Sequence, residues 1–354
     1  MLWRAIQRSA LLVMVAALGV LPGQAAEKKL PSTADRPPRK VIVGTVVQAF
    51  WVDYPGLQTR LTELEGIVDR MAEQAQKQYG RGLDLAILPE TVVSGEMTGD
   101  IVKNSIPLAG PLQEAFSRKA RQLHCYIVVP TNLLEDAQKR LCTNVAILFG
   151  RDGEVVGIYR KVHLAIPTGS DSLEGGMTPG KDEPVFQCDF GKLGIQICFD
   201  IQFDYGWNEL ARKGAELVAW PTQSPQTARP AFYALRNRYY VVSSTWRENA
   251  SIFEPTGRIA AQARQPGEVL VKELDLSYAI LPWSGDLRNG DALKEKFGDK
   301  VGFNYYVEED CGIFWSNDPA TPIWKMMRSL GLTEAQDELA RAGDLYRKAG
   351  VPRY

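Results

Sequence analysis

The stretch that decides the fold is Gly191-Lys-Leu-Gly-Ile-Gln-Ile-Cys198-Phe-Asp200. Its apolar, β-branched run from Leu193 to Ile197 predicts a buried strand that ends just before Cys198. A longer amphipathic segment follows and is typical of a helix. A cysteine between a strand and a helix is where a nucleophile is often presented. The alternative is inert packing, because free cysteine is among the most buried residue types.

The N-terminus has the pattern of a secretory signal peptide over residues 1–25. Arg4 and Arg8 precede an apolar run over 10–20, which is shorter than the roughly 20 residues that span a bilayer. Small residues then supply a cleavage site. We therefore expect an exported protein, periplasmic or secreted, with no stable membrane insertion after cleavage. Residues 26–40 are basic and rich in proline, and we expect them to form an exposed leader.

Composition excludes several classes of protein. The 354 residues are 45% hydrophobic and 23% charged, as in an ordinary globular protein, and the formal net charge is −1. No basic stripe indicates a nucleic-acid partner. With only two histidines and no metal-ligand spacing among the five cysteines, we expect no metal site and no cofactor. An odd number of cysteines leaves at least one thiol unpaired in an exported protein, which is compatible with a working thiol at Cys198. Whether the other four form disulfides stays open; they are Cys125, Cys142, Cys188 and Cys311.

Strand-like and helix-like segments alternate between residues 41 and 277. Six of the eight residues over 40–47 are β-branched, as in a strand buried on both faces. Apolar residues then recur at helical spacing over 57–75, and Gly80 ends that segment. The repeated alternation predicts an α/β layered domain over 41–277. Residues 278–354 differ in composition and end in a helical pattern, so we interpret them as a C-terminal extension.

Three chemistry-bearing residues follow predicted strands: Glu90, Lys161 and Cys198. Strand ends on one edge of a sheet converge in space, so these side chains are expected to lie together. Taken singly, Glu90 could be a turn carboxylate and Lys161 a solvated strand end. Together they supply what amide hydrolysis by a thiol needs, which is a base for the thiol proton, a cation for the oxyanion and an acid for the leaving amine. His163 lies two residues past Lys161, and we interpret it as structural.

At these motifs the chain resembles the nitrilase, or carbon–nitrogen hydrolase, superfamily. The resemblance spans about 41–276 and rests on Leu-Pro-Glu90, Tyr-Arg-Lys161-Val-His-Leu and Gly-Ile-Gln-Ile-Cys198-Phe-Asp, with support from 210–217 and 250–257. It implies a four-layer α-β-β-α sandwich that assembles across helices into a homodimer or a higher homo-oligomer.

The resemblance also implies residue roles. Cys198 would be the nucleophile, Glu90 the general base and then acid, and Lys161 the stabiliser of the tetrahedral oxyanion. The backbone N–H of Phe199 would be the second oxyanion donor. Family members often carry another glutamate in the loop after the lysine, and Glu174 is the candidate here, with Asp171 nearby.

The function expected from this resemblance is hydrolysis of a non-peptide C–N bond through a cysteine thioester. The substrate would be a small amide, carbamoyl compound or nitrile, with linear amides favoured over nitriles. Two alternatives stay open, namely an N-acyltransferase that uses the same thioester and a non-catalytic binding protein on this fold. The chain lacks the Arg and Pro-Glu that many relatives carry after the cysteine, which leaves the substrate unassigned.

Overall fold

Two six-stranded sheets organise the computed structural model, which describes residues 36–50, 54–95 and 99–352. The strands of these sheets are β1 (Lys40–Val46), β2 (Leu85–Ile87), β3 (Tyr126–Asp136), β4 (Leu141–Phe149), β5 (Val155–Arg160), β6 (Val185–Gln187), β7 (Lys192–Ile195), β8 (Leu217–Thr222), β9 (Tyr240–Thr245), β10 (Ala250–Phe253), β11 (Ile259–Ala263) and β12 (Val269–Asp275). Their helices are α1 (Leu57–Tyr79), α2 (Pro111–Leu123), α3 (Asp204–Arg212) and α4 (Ala228–Asn237). The first sheet has the order β12-β1-β2-β3-β4-β5 and the second β11-β10-β9-β8-β7-β6.

The side chains of β1 show how the layers stack. Alternate residues of a strand point to opposite faces of its sheet. Val41 and Val43 belong to the apolar cluster shared by the two sheets, whereas Ile42 and Val46 belong to the cluster formed with α1 and α2. On the far side, α3 and α4 cover the second sheet, where Trp207 stacks on Tyr233 with ring centroids 4.7 Å apart. The result is the predicted four-layer α-β-β-α sandwich.

A glycine lets α3 approach the strand that precedes Cys198. A Cβ atom on Gly194 of β7 would lie 2.9 Å from Leu210 Cδ1. Any larger residue there would push α3 away from the second sheet, because a contact this short forces a shift of packed atoms. The close approach therefore fixes where the chain runs immediately after the predicted nucleophile.

The C-terminal residues contain strands that the sequence analysis did not predict. They form β13 (Tyr278–Pro282), α5 (Asp291–Phe297), β14 (Val301–Tyr306), β15 (Cys311–Ser316), α6 (Ile323–Arg328) and α7 (Ala335–Lys348). The sheet order is β13-β15-β14. Tyr278, Ile280 and Ile313 join the apolar cluster between the two large sheets. Residues 278–352 thus pack on the sandwich, and the boundary at 277/278 stays a prediction.

The N-terminal predictions fall largely outside the described residues. The signal peptide over 1–25 does so entirely, and the leader is described only from Arg36 onward. There Arg36 and Arg39 form ion pairs with Glu216, and Lys40 is already the first residue of β1. The end of the leader is therefore held against the domain rather than fully exposed. Within the described ranges, the helices are all too short or too polar to cross a bilayer. All five cysteines lie in these ranges, and each is a free thiol.

Candidate active site

The structure brings Glu90 and Lys161 into direct contact. Glu90 lies in the turn that follows β2, and Lys161 comes directly after β5. Lys161 Nζ donates to Glu90 Oε1 at 2.8 Å, and the two residues are only 1% and 3% exposed. Trp246 Nε1 holds the backbone carbonyl of Glu90 at 2.8 Å. The predicted base and the predicted cation are thus fixed together inside the protein.

Glu174 is the second carboxylate on Lys161. Lys161 Nζ also donates to Glu174 Oε1, and the backbone N–H of Ala165 donates to the same oxygen at 2.9 Å. The Glu174 N–H in turn donates to the Ala165 carbonyl at 2.8 Å, with the Glu174 backbone in the left-handed region at φ 39°. Asp171, the other acidic residue of this loop considered above, is exposed. The structure therefore places Glu174, and not Asp171, beside the lysine.

Asn144 is the residue that sequence reasoning missed. Its Nδ2 donates to Glu90 Oε1 and to Glu174 Oε2, each at 3.0 Å, while its backbone carbonyl accepts the backbone N–H of Lys161 at 2.9 Å. Glu90, Lys161, Glu174 and Asn144 form a closed loop of hydrogen bonds, which we call the carboxylate ring. The signal was an asparagine within the mostly apolar strand β4, because a buried amide requires hydrogen-bond partners.

Cys198 is presented by a strained turn. It begins the short 3-10 helix Cys198–Gln202, three residues beyond the end of β7, and its φ of 40° lies in the left-handed region. Such strain is characteristic of functional sites and persists only where the surroundings enforce it. Trp220 Nε1 donates to the Cys198 carbonyl at 3.2 Å and helps to hold the turn.

Asp200 anchors the same turn from beneath. Its carboxylate is fully buried and accepts the N–H of Ile197 at 2.9 Å, the hydroxyl of Tyr159 at 2.7 Å and the N–H of His163 at 2.8 Å. His163 Nδ1 lies 3.1 Å from Asp200, and the imidazole stacks on Phe203 at 3.9 Å between ring centroids. His163 therefore contacts the Asp200 carboxylate that holds the turn. These contacts fit the structural role expected for it.

The electrostatics of the site favour a resting thiol and a charged lysine. Burial raises the pKa of Cys198 to about 12, and the negative charge of Glu90 adds to this. Lys161, the Gln223 N–H and the Thr222 hydroxyl partly offset the shift, because each stabilises the thiolate. Burial alone would lower the pKa of Lys161, but Glu90, Cys198 and Glu174 raise it above its usual range. Cys198 therefore needs a base at the moment of reaction.

A cavity of about 410 Å³ gives access to these groups, a size within the range of small-molecule sites. The predicted catalytic residues Glu90, Lys161 and Cys198 line it, as does Glu174, the substrate-orienting candidate. Its other described polar lining consists of neutral side chains, and its apolar wall includes a methionine and an isoleucine. These residues are Thr91, Asn104, Asn132, Asn144, Gln223, Ile101, Met177, Ala165 and Pro167. Phe199 follows Cys198 in the same turn, and its N–H as oxyanion donor stays a prediction.

An α-β-β-α sandwich with a cysteine, a glutamate and a lysine at one cavity defines the class of carbon–nitrogen hydrolases. The chain belongs to this family: the sequence model of the carbon-nitrogen hydrolases matches residues 46–281. It is thereby a member of the nitrilase superfamily, as its motifs predicted.

Curated relatives include the omega-amidase of Danio rerio, which is 27% identical over 56% of this chain and 79% of its own length. The deaminated glutathione amidase of Homo sapiens is 26% identical over 58% of this chain and 71% of its own length. At these sequence identities, the substrate of a relative is not assigned to this chain.

Solved structures share the fold. A branch 10 nitrilase-superfamily protein of Saccharomyces cerevisiae superposes with a TM-score of 0.56 at 22% identity, over 67% of this chain and 90% of that one. An amidase from Nesterenkonia sp. gives a TM-score of 0.56 at 20% identity, over 68% and 91%. In one structure of a mutant of that amidase, acrylamide is joined to the active-site cysteine by Michael addition.

Proposed function

We propose that the protein hydrolyses small linear amides through a thioester on Cys198. The observation that carries the proposal is the contact of Lys161 with both Glu90 and Glu174 at the cavity that contains Cys198. With Lys161 between the two carboxylates, Glu90 can serve as the base for the thiol, and Lys161 supplies a positive charge for the developing oxyanion. The omega-amidase and amidase relatives support an amide rather than a nitrile substrate.

In the first half-reaction Glu90 takes the Cys198 thiol proton while sulfur attacks the amide carbon. Lys161 and the Phe199 N–H stabilise the oxyanion of the tetrahedral intermediate. The C–N bond then breaks, and the leaving nitrogen takes the proton from Glu90 and departs as ammonia or an amine. The acyl group is left as a thioester.

In the second half-reaction Glu90 takes a proton from water, and the hydroxide oxygen attacks the thioester carbon. The C–S bond breaks as the proton returns to sulfur, which releases the carboxylic acid and restores the thiol. Glu174 and Asn144 do not react in this scheme. They hold Lys161 and Glu90 where both half-reactions need them.

The test is ammonia release by the purified protein from a panel of small amides, with intact-mass detection of an acyl adduct. Cys198→Ala should abolish both signals. Cys311→Ala is the matched control, because Cys311 is also a half-buried thiol but lies in β15, outside the cavity lining. Ammonia release that survives in Cys198→Ala would overturn the thioester mechanism.

We also propose export of the mature protein, supported by the N-terminal pattern of Arg4, Arg8 and the apolar run over 10–20. The measurement is N-terminal sequencing of the protein recovered from the periplasm or the medium. A start immediately after Ala25 is expected. Recovery in the cytosol with residues 1–25 intact would contradict export.

We further propose a homodimer that forms across α3 and α4. These helices carry the exposed side chains Tyr205, Phe232 and Leu235, which are 68%, 47% and 52% exposed and could be covered by a second copy. Light scattering should give twice the monomer mass for the wild type and the monomer mass for Leu235→Glu. Leu339→Glu, at an exposed leucine on α7, is the control that should stay dimeric.

A further inference from the structure

The charges of the active-site cavity bear on which acyl groups can enter it. Among the described lining residues, the charged side chains are Glu90, Glu174 and Lys161, which together carry one net negative charge. Cys198 adds none at neutral pH, because its raised pKa keeps the thiol protonated. A substrate therefore meets a buried site that is already negative.

The one cation of this set is fully engaged. Lys161 Nζ donates to both Glu90 and Glu174, is buried, and must also meet the oxyanion if the proposed mechanism holds. Lys103 lies near lining residues in the sequence, but it is exposed and not part of the described lining.

The remaining polar lining can recognise a neutral group. Asn132 and Gln223 carry side-chain amides, which both donate and accept hydrogen bonds, and Thr91 adds a hydroxyl. Ile101 and Met177 supply the apolar wall. Such a lining can pair with an amide or hydroxyl on the acyl chain, whereas it offers no cation to a carboxylate.

We infer that the substrate is an amide whose acyl part is polar but uncharged, and that amides bearing a carboxylate on the acyl chain are rejected. The inference rests on the proposed function and names the substrate class of the same site. Its physical basis is that a carboxylate in this cavity would lose its hydration, meet no unengaged cation among the described lining residues and lie close to two like charges.

The first experiment compares succinamide with succinamate, which are nearly identical in shape and differ by one negative charge. The expected kcat/KM of the purified full chain for succinamide exceeds that for succinamate by roughly 30-fold or more. Equal values, or a preference for succinamate, would overturn the inference while leaving the amidase proposal standing.

A charge introduced into the cavity should reverse the discrimination. Ile101→Lys places a cation on the apolar wall, and Ile101→Met is the neutral control of similar size. The succinamide-to-succinamate ratio should fall by about tenfold or more in Ile101→Lys and stay near the wild-type value in Ile101→Met. Lys103→Ala should leave the ratio unchanged, and a large rise of the ratio in that variant would identify Lys103 as a carboxylate ligand and refute the inference.

A labelling experiment tests the cavity without turnover. Iodoacetamide and iodoacetate differ by the same single charge, and their alkylation rates at Cys198 are measured by mass spectrometry and normalised to those of glutathione. Iodoacetamide should be favoured by about tenfold or more beyond the glutathione ratio. Charge-selective labelling without ammonia release from any amide would refute the proposed function, and a ratio equal to that of glutathione would refute charge rejection.

Discussion

Replacing Asn144 by alanine should disable the site without touching any group that forms or breaks a bond. The substitution removes two hydrogen bonds to carboxylates, each 3.0 Å long and made by Nδ2 to Glu90 and Glu174. A hydrogen bond to a charged group contributes about 1.5–3 kcal/mol. If one such bond is needed to hold Glu90 in the transition state, kcat/KM should fall by roughly 10- to 150-fold. The effect should lie mainly in kcat, since Asn144 positions the base and does not need to bind the substrate.

The assay is steady-state ammonia release, with urea unfolding to establish how much of the variant is folded. Asn132→Ala is the matched control, because Asn132 pairs with Asn144 across β3 and β4 and lines the same cavity but is not part of the carboxylate ring. It should lose much less in kcat. A folded Asn144→Ala protein with kcat/KM within threefold of the wild type would refute the idea that the ring positions the base.

Three further predictions concern the nucleophile, the carboxylate that holds its turn, and the packing around two glycines. Because the pKa of Cys198 is raised to about 12, the reactive thiolate fraction should grow about tenfold per pH unit, and the rate of alkylation by iodoacetamide should rise in the same way from pH 7 to 9. A plateau of the rate in that range would contradict a protonated resting thiol. Asp200→Asn replaces one accepting oxygen with an NH2 group, so either the Ile197 N–H or the His163 N–H loses its acceptor. The variant should lose roughly 3 kcal/mol in urea unfolding and have a lower kcat, whereas unchanged stability would show that the turn does not depend on the carboxylate. Gly180→Ala should destabilise the folded protein by about 1–3 kcal/mol, because the new Cβ would lie 2.1 Å from the Arg160 carbonyl oxygen. Gly66→Ala, within α1, is the control: its new Cβ meets nothing within 4 Å, so this variant should be more stable than the wild type by about 1 kcal/mol. The reverse order of these two alanine variants would invalidate the packing argument.

The sequence predicted the strand ends and the residues they carry because those signals are local. An apolar run that stops before Cys198, and a proline before Glu90, mark where strands end whatever the rest of the chain does. The family resemblance then placed the elements in layers. It could not decide between Glu174 and Asp171, since that choice depends on a loop held by Ala165 and by a left-handed backbone.

Asn144 and the C-terminal sheet escaped prediction for a different reason. The role of Asn144 depends on its two hydrogen-bond partners, Glu90 and Glu174. They come from distant parts of the chain and meet only in the folded protein. In the C-terminal sheet, Gly302 weakens the strand pattern of β14, yet a Cβ there would lie 2.3 Å from the Trp315 ring. The residue that lowers the local strand propensity is the one that the packing of β15 requires.

The pairing of β1 with β12 has a consequence for how the protein is made. β1 lies between β12 and β2, with Lys40 opposite Asp275, so the first of the described strands to be synthesised cannot complete its pairing until the last strand of its own sheet has been made. Loop closure over such a separation is slow, and the edge of β1 stays open until it occurs. One edge of β1 therefore stays without its strand partner until residues 269–275 have been synthesised.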